Sequence, residues 1–404
     1  MQRRDFVSLF SSASAAALLG AHAPGWAQAS ARRAASAADR NLILVELKGG
    51  NDGLNTVVPY ADSRYHALRP VIGLKPEELI RLDAQTGLHA ALSPLLPLWE
   101  KGELGIVQGV GYPQPNLSHF RSIEIWDTAS RSGEYLQEGW VARGMKAGLA
   151  GRSSFTTEGV LIGRNDLGPL AGARAISLNN PEAFVNQSRL AQGLDDAFVA
   201  RGKGNPALQH LLQVESDVNQ AAQGLRAERY SFSTQFPAGA FGNGVRAAAQ
   251  VVASQKDQEG KGGVPVITLT LGSFDTHQNQ LATHANLLRQ LAEGLAALKG
   301  ALTELGAWER TLLMTFSEFG RRAAQNSSNG TDHGTAAPHF VAGGAVRGGF
   351  YGQAPDLDRL DSTQNTGYST DFRQLYASVA KDWWGVNPDS VTGGRFEPLK
   401  FLAT

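Results

Sequence analysis

Three apolar runs of strand length each end in a polar turn carrying glycine or a carboxylate, and this recurrence limits the folds open to the chain. Residues 41–47 read NLILVEL and lead into KGGNDGLN, residues 264–271 read VPVITLTL and end in GSFDTH, and residues 311–316 read TLLMTF and run into SEFGRR. LGIVQGV at 104–110 is another strand, reached after a helix around residues 94–101, and residues 339–341 begin a fifth. Helical patterns lie between them. One starts near Ser118, after the extended YPQPN loop, and runs to about Ser130; leucines at helical spacing mark 279–299; an amphipathic helix closes the chain over 371–384. Strands alternating with helices predict an α/β fold, a doubly wound, mostly parallel sheet flanked by helices. In such sheets ligands bind beyond the carboxyl ends of the strands, which is where GGNDG, FDTH and SEFG would sit.

Between about residues 132 and 262 the pattern changes to polar, glutamine-rich and alanine-rich segments, which predicts a mostly helical insertion or cap. At the other end, Arg3 and Arg4 precede a weakly apolar stretch, and Ala27, Gln28 and Ala29 form a small-x-small cleavage site. Residues 1–29 thus have the form of a twin-arginine signal, read by the bacterial machinery that exports folded proteins, with cleavage near Ala29 and a periplasmic or exported product. A permanent membrane anchor is not expected, because a spanning helix needs ~20 predominantly apolar residues and serines interrupt this run before Pro24. Residues 30–40 read as a flexible lead into an α/β domain over 41–404.

Lys plus Arg number 37 and Asp plus Glu number 37, so no charge excess points to nucleic acid or an anionic membrane as a partner. Cysteine is absent, which excludes disulfides and thiolate ligands and leaves His, Asp, Glu and hydroxyls for any site. His119, His277, His333 and His339 fall in motifs, and carboxylates accompany most of them: Asp52 in GGNDG, Asp275 in FDTH, Glu318 in SEFG and Asp332 in TDHG. Taken singly, each would read as a cap or a satisfied core residue. Gathered at strand ends they describe a hydrolytic site for one or two divalent ions: zinc, manganese, magnesium or calcium.

GGNDGLNTVVPY, QPNLSHFRSIEIWDTA, FDTHQNQ, TFSEFGRR, GTDHGTAAPHFVAGG and TDFRQLYA together resemble the bacterial family called domain of unknown function 1501, over nearly the whole mature chain. That family looks like a branch of the alkaline phosphatase and sulfatase superfamily, whose members hydrolyse phosphate or sulfate esters with metal ions. The resemblance implies a metal ligand at Asp52 and a second metal position at Asp275 and His277, with Gln280 as a substitute ligand. It places Ser118 at the nucleophile position, where serine would equally serve as a helix N-cap. His119 and Arg121 follow as proton-transfer and anion-binding candidates. Arg321, Arg322 and Asn51 join them as substrate-binding candidates, although a solvated basic pair is the commoner fate of adjacent arginines.

TDHG admits two alignments. In one, Asp332 and His333 complete the Asp52 metal; in the other, Glu318 takes that carboxylate position and GTDH with His339 forms a late histidine motif. The second puts Phe319 where a histidine belongs, which weakens or removes one metal. Since QPNLSHFR lacks the C/S-x-P-x-R signature of sulfatases, hydrolysis of a small anionic phosphate ester or phosphodiester is favoured over sulfate hydrolysis. The alternative is a non-catalytic exported protein for binding or cell-surface assembly with a degenerate metal site.

Overall fold

The first apolar run forms β1 (Asn41–Leu47), which is buried at every residue. Ile43, Val45 and Leu47 join one apolar cluster and Leu42 and Leu44 join another, the period-two alternation of a strand covered on both faces. The computed structural model describes residues 39–149, 157–178, 204–205, 208, 212, 230–255 and 263–403. The signal expected over residues 1–29 lies outside them. β2 (Leu104–Gly111), β3 (Gly159–Ile162), β4 (Ala175–Leu178), β5 (Val266–Leu271), β6 (Thr311–Phe316), β7 (Ala337–Ala342), β8 (Gly349–Tyr351) and β9 (Thr370–Asp371) complete the sheet around β1. Their order is β8-β2-β7-β6-β1-β5-β3-β4, with β9 also paired to β2. β7 runs antiparallel to β2 and β6, while the other pairings are parallel.

Helices cover both faces. α1 (His119–Thr128) contributes Ile125 and Trp126 to the cluster that holds Leu42 and Leu44. α2 (Ala240–Ser254) and α3 (Gln280–Glu304) place Val245, Val252, Leu288, Leu291 and Leu295 in the cluster on the opposite face. α4 (Phe372–Ser378) returns to the first face with Phe372 and Tyr376, and Asp371 caps it by accepting from Arg373 N. The doubly wound α/β arrangement is therefore present. Among the described residues no helix is long and apolar enough to cross a membrane.

Two departures from the sequence reading matter. The stretch expected to be an insertion or cap supplies β3 and β4 to the main sheet, and its helix α2 packs beside β5 rather than above it as a separate body; the remainder of that stretch lies outside the described residues. The closing helix is α-helical only to Ser378 and continues as a wider π turn over Val379–Trp384, ended by Gly385 in the left-handed conformation.

Register fixes where the chemistry falls. Leu47 pairs with Leu271, and Glu46 pairs with Phe316, so β1, β5 and β6 end level. The turns beginning at Lys48, Gly272 and Ser317 consequently leave from one edge of the sheet.

Candidate metal centre

Glu318 stands just past β6 and is buried, and both its oxygens accept from Gly49 N, at 2.9 and 3.1 Å. Gly49 (φ +119°) holds a conformation that L side chains rarely adopt, and a Cβ there would collide with the backbone of Phe274 and Asp275. Three strand-end turns thus meet through glycine backbone. Glu318 Oε1 then lies 2.7 Å from His119 Nδ1. That hydrogen bond raises the pKa of the imidazole above the ordinary histidine value, against the opposing effect of partial burial. The other ring nitrogen, Nε2, lies 3.4 Å from Asp275 Oδ2.

Asp275 is the hub. Its Oδ1 lies 3.0 Å from His277 Nε2 and 3.1 Å from His333 Nε2, and those two nitrogens are 3.1 Å apart. His333 Nδ1 donates to Leu117 O at 2.9 Å, so its Nε2 is an acceptor. His277 Nδ1 faces Asp332 Oδ1 at 3.5 Å, which turns its Nε2 towards Asp275. Three atoms in a triangle of 3.0–3.1 Å sides match the face of a coordination polyhedron. With metal–ligand bonds of about 2.0–2.1 Å, neighbouring ligand atoms stand roughly 2.9 Å apart in an octahedron and roughly 3.3 Å in a tetrahedron. His119, Asp275 and His333 also converge, with their ligand atoms all within 4.8 Å of one another. The donor set therefore fits a borderline divalent cation, and carboxylates or carbonyls behind the rings fix their tautomers as they do for metal-bound imidazoles.

Charge favours the same conclusion. Desolvation acts to raise the pKa of Asp275, but the Arg321 hydrogen bond at 2.6 Å, with His333 and the nearby charges, lowers it to about 2. Burial lowers the pKa of His333, which favours the neutral imidazole. Phe319, which occupies the place where a histidine ligand is expected, packs against the rings of both His119 and His333 with centroids 4.9 and 4.4 Å away, and those two rings touch each other at 4.5 Å.

Several expected site residues are committed elsewhere. Asp52 is fully buried and bound bidentately by Arg69 at 2.6 and 2.9 Å, and it also accepts from Gln280. Burial opposes its ionisation, yet the Arg69 charge and hydrogen bonds hold its pKa below the usual carboxylate value. A cation there would have to displace a buried guanidinium, so Asp52 is an ion-pair partner and not part of the convergent set, and Gln280 is engaged with it. His339 sits within β7, far from solvent, against Trp126, and neither ring nitrogen has a hydrogen-bond partner among the described residues. Glu318 and Asp332 stand behind His119 and His277 instead of joining the triangle.

Arg321 is also structural. It donates to Gly50 O at 2.7 Å, Thr331 O at 2.9 Å, Gly49 O and Asp275 and is buried, so it clamps the site and does not face substrate. Arg121 donates to the carbonyls of Arg131, Ser132 and Glu134. Asn51 is locked between Thr56 and His284. Arg322 lies 3.6 Å from Asp332 with a partly exposed side chain. Ser118 is the exposed N-cap residue of α1, but its side chain makes no capping bond.

The family described as protein of unknown function (DUF1501) matches residues 157–392, more than half of the chain. The chain belongs to the DUF1501 family. No curated protein matches it. Among solved structures, Ps i-CgsB in complex with k-i-k-neocarrahexaose is 12% identical with a TM-score of 0.40, covering 89% of this chain and 73% of that one. The lipoteichoic acid synthase LtaP from Listeria monocytogenes is 9% identical, with a TM-score of 0.38 and coverages of 88% and 75%. A protein in the alkaline phosphatase superfamily from Vibrio parahaemolyticus is 10% identical, with a TM-score of 0.38 and coverages of 88% and 69%. These likenesses are too distant to transfer any residue's role. In this DUF1501 member the residue that sequence reasoning missed is Arg69, which lies in no motif and follows a short helix, Ser63–Leu68, that already carries Arg64 and His66, so nothing in the sequence singles it out.

Proposed function

We propose that the protein is an exported, metal-dependent hydrolase of phosphate esters, monoesters or diesters. The observation that carries this reading is the triangle of Asp275 Oδ1, His277 Nε2 and His333 Nε2, acceptor atoms drawn together at a sheet edge. Those three residues would hold the cation. When bound, a divalent cation supplies Lewis acidity towards an ester oxygen and lowers the pKa of a hydroxyl beside it. Ser118 Oγ is the nucleophile in this proposal: it bonds to phosphorus, the alcohol departs, and water then cleaves the seryl ester. His119, held on Nδ1 by Glu318, carries the proton to the departing oxygen through Nε2. The N-terminus of α1, which no side chain caps, offers backbone N–H groups to the developing anion.

A second reading, a non-catalytic binding protein with a reduced metal site, draws support from the Asp52–Arg69 pair, which takes an expected ligand out of use. Metal analysis of the purified protein, joined to a panel of phosphomonoesters, phosphodiesters and sulfate esters, separates the two. The hydrolase reading expects bound metal, lost in Asp275→Asn and His333→Ala, and turnover abolished in Ser118→Ala with metal content retained. Metal without turnover across the panel would move the conclusion to the binding protein, and Ser118→Ala with full activity would remove serine as nucleophile. Export is tested by replacing Arg3 and Arg4 with Lys, which should trap a precursor in the cytoplasm; normal periplasmic levels of mature protein would overturn it.

A further inference from the structure

Two features adjoin the metal centre and have no part in the chemistry above beyond the residues they share with it. Phe120, the residue after His119, is 89% exposed. Tyr135 is also exposed, with the Arg121 guanidinium 3.9 Å from its ring centre, and Arg121 ties the 131–134 backbone to α1. Two exposed aromatic rings thus belong to one helix and the loop fastened to it. The centre also borders an open hollow of about 370 Å³ that includes Asp275, His277 and Asp332 in its wall. The rest of that wall is neutral and polar, with the hydroxyls of Ser273, Thr283 and Ser328 and the amide of Gln278, and no lysine or arginine lines it.

The wall is held in shape by backbone that most residues avoid. Ser273, Asn279 and Asn329 all have positive φ, at 77°, 44° and 56°. Asn279 N and Gln280 N donate to Ser328 O and Asn329 O, which stitches the two halves of the hollow together.

We infer that the ester cleaved here is carried by a saccharide, an otherwise neutral polyhydroxylated molecule that straddles the metal centre from the aromatic rings to the polar hollow. The ester part of this inference rests on the hydrolase reading, whereas the saccharide part does not. Sugar rings have apolar C–H faces that pack on exposed aromatic rings and hydroxyl edges that need neutral donors and acceptors, and the two features offer one of each. A polyanion is the wrong occupant. Asp275 and Asp332 in the wall are already paired with Arg321 and Arg322, and no uncommitted lysine or arginine lines the hollow to receive a second negative group beside the ester.

The metal-loaded protein is titrated by calorimetry with a panel of neutral oligosaccharides, and kcat/KM is compared for hexose phosphates and butyl phosphate. At least one oligosaccharide is expected to bind, with affinity falling tenfold or more in Phe120→Ala and in Ser273→Ala. The hexose ester is expected to be preferred at least tenfold over butyl phosphate, and Phe120→Ala to shrink that ratio. Turnover of butyl phosphate with no oligosaccharide binding would overturn the saccharide inference and leave the hydrolase reading intact. Oligosaccharide binding without cleavage of any ester would do the reverse. Equal oligosaccharide binding by Phe120→Ala and the unmodified protein would remove the aromatic platform and the inference with it.

Discussion

Asp52 shows how far a residue's type underdetermines its use. At the end of β1, beside two other carboxylate-bearing turns, it has the position of a ligand, but Arg69 reaches it from a segment 17 residues later with no motif to announce the pairing. Sequence shows which side chains can ionise and not which buried charge neutralises which. Asp52→Ala would leave the Arg69 guanidinium buried and unpaired, so it is expected to cost about 3–5 kcal/mol of stability by urea unfolding, while metal content in the fraction that folds stays normal. Loss of metal at unchanged stability would return Asp52 to the ligands. His339 gives a second residue-scale expectation. Burial lowers its pKa to about 3, below the ordinary unfolded value near 6.5, so its neutral form stabilises the fold above pH ~6.5 and that contribution is lost as pH falls towards 3. Between pH 7.5 and 5 the loss amounts to about 2 kcal/mol. His339→Leu should remove it, so the stability difference between variant and unmodified protein should grow by that amount on acidification; parallel pH profiles would show that His339 is not buried neutral.

At the scale of elements, legibility followed apolar content. β1 and β6 have the bounds that their continuous apolar runs predict, and β2 and β5 differ by one or two residues. β3 and β4, at four residues each, fell below notice because GVLI and AISL are embedded in polar sequence and only the neighbouring strand makes them strands. The turn after β1 is the element on which the site depends most, because Gly49 N holds Glu318 and Glu318 holds His119. Gly49→Ala would force a left-handed φ on an alanine and push its Cβ into the Phe274–Asp275 backbone. It is expected to lower metal occupancy severalfold by separating the β1 and β5 turns, with a smaller effect in an exposed control such as Gly102→Ala, also at positive φ (+68°) but with nothing within 4 Å of its Cβ. Equal occupancy in both variants would show that the turns keep their places without glycine.

For the whole molecule, the convergence of His119, Asp275, His277 and His333 draws on the turns after β5 and β6 and on the start of α1, so a bound cation would stabilise the fold as a unit. Free metal at a hundredfold excess over Kd adds about 2.7 kcal/mol, and the melting temperature should rise by a few degrees on zinc or manganese addition and fall again with chelator; an unmoved Tm would count against any tight site. The order of the sheet has a consequence for how such a chain is made. β2 pairs only with β7, β8 and β9 among the described strands, each more than 200 residues downstream. Contacts that distant close slowly. Until Ala337 and the residues after it leave the ribosome, a nascent chain carries β2 as an unpartnered apolar edge, prone to capture by a second copy or a chaperone. A stretch synthesised more than 200 residues later is thus the part that lets β2 take its place.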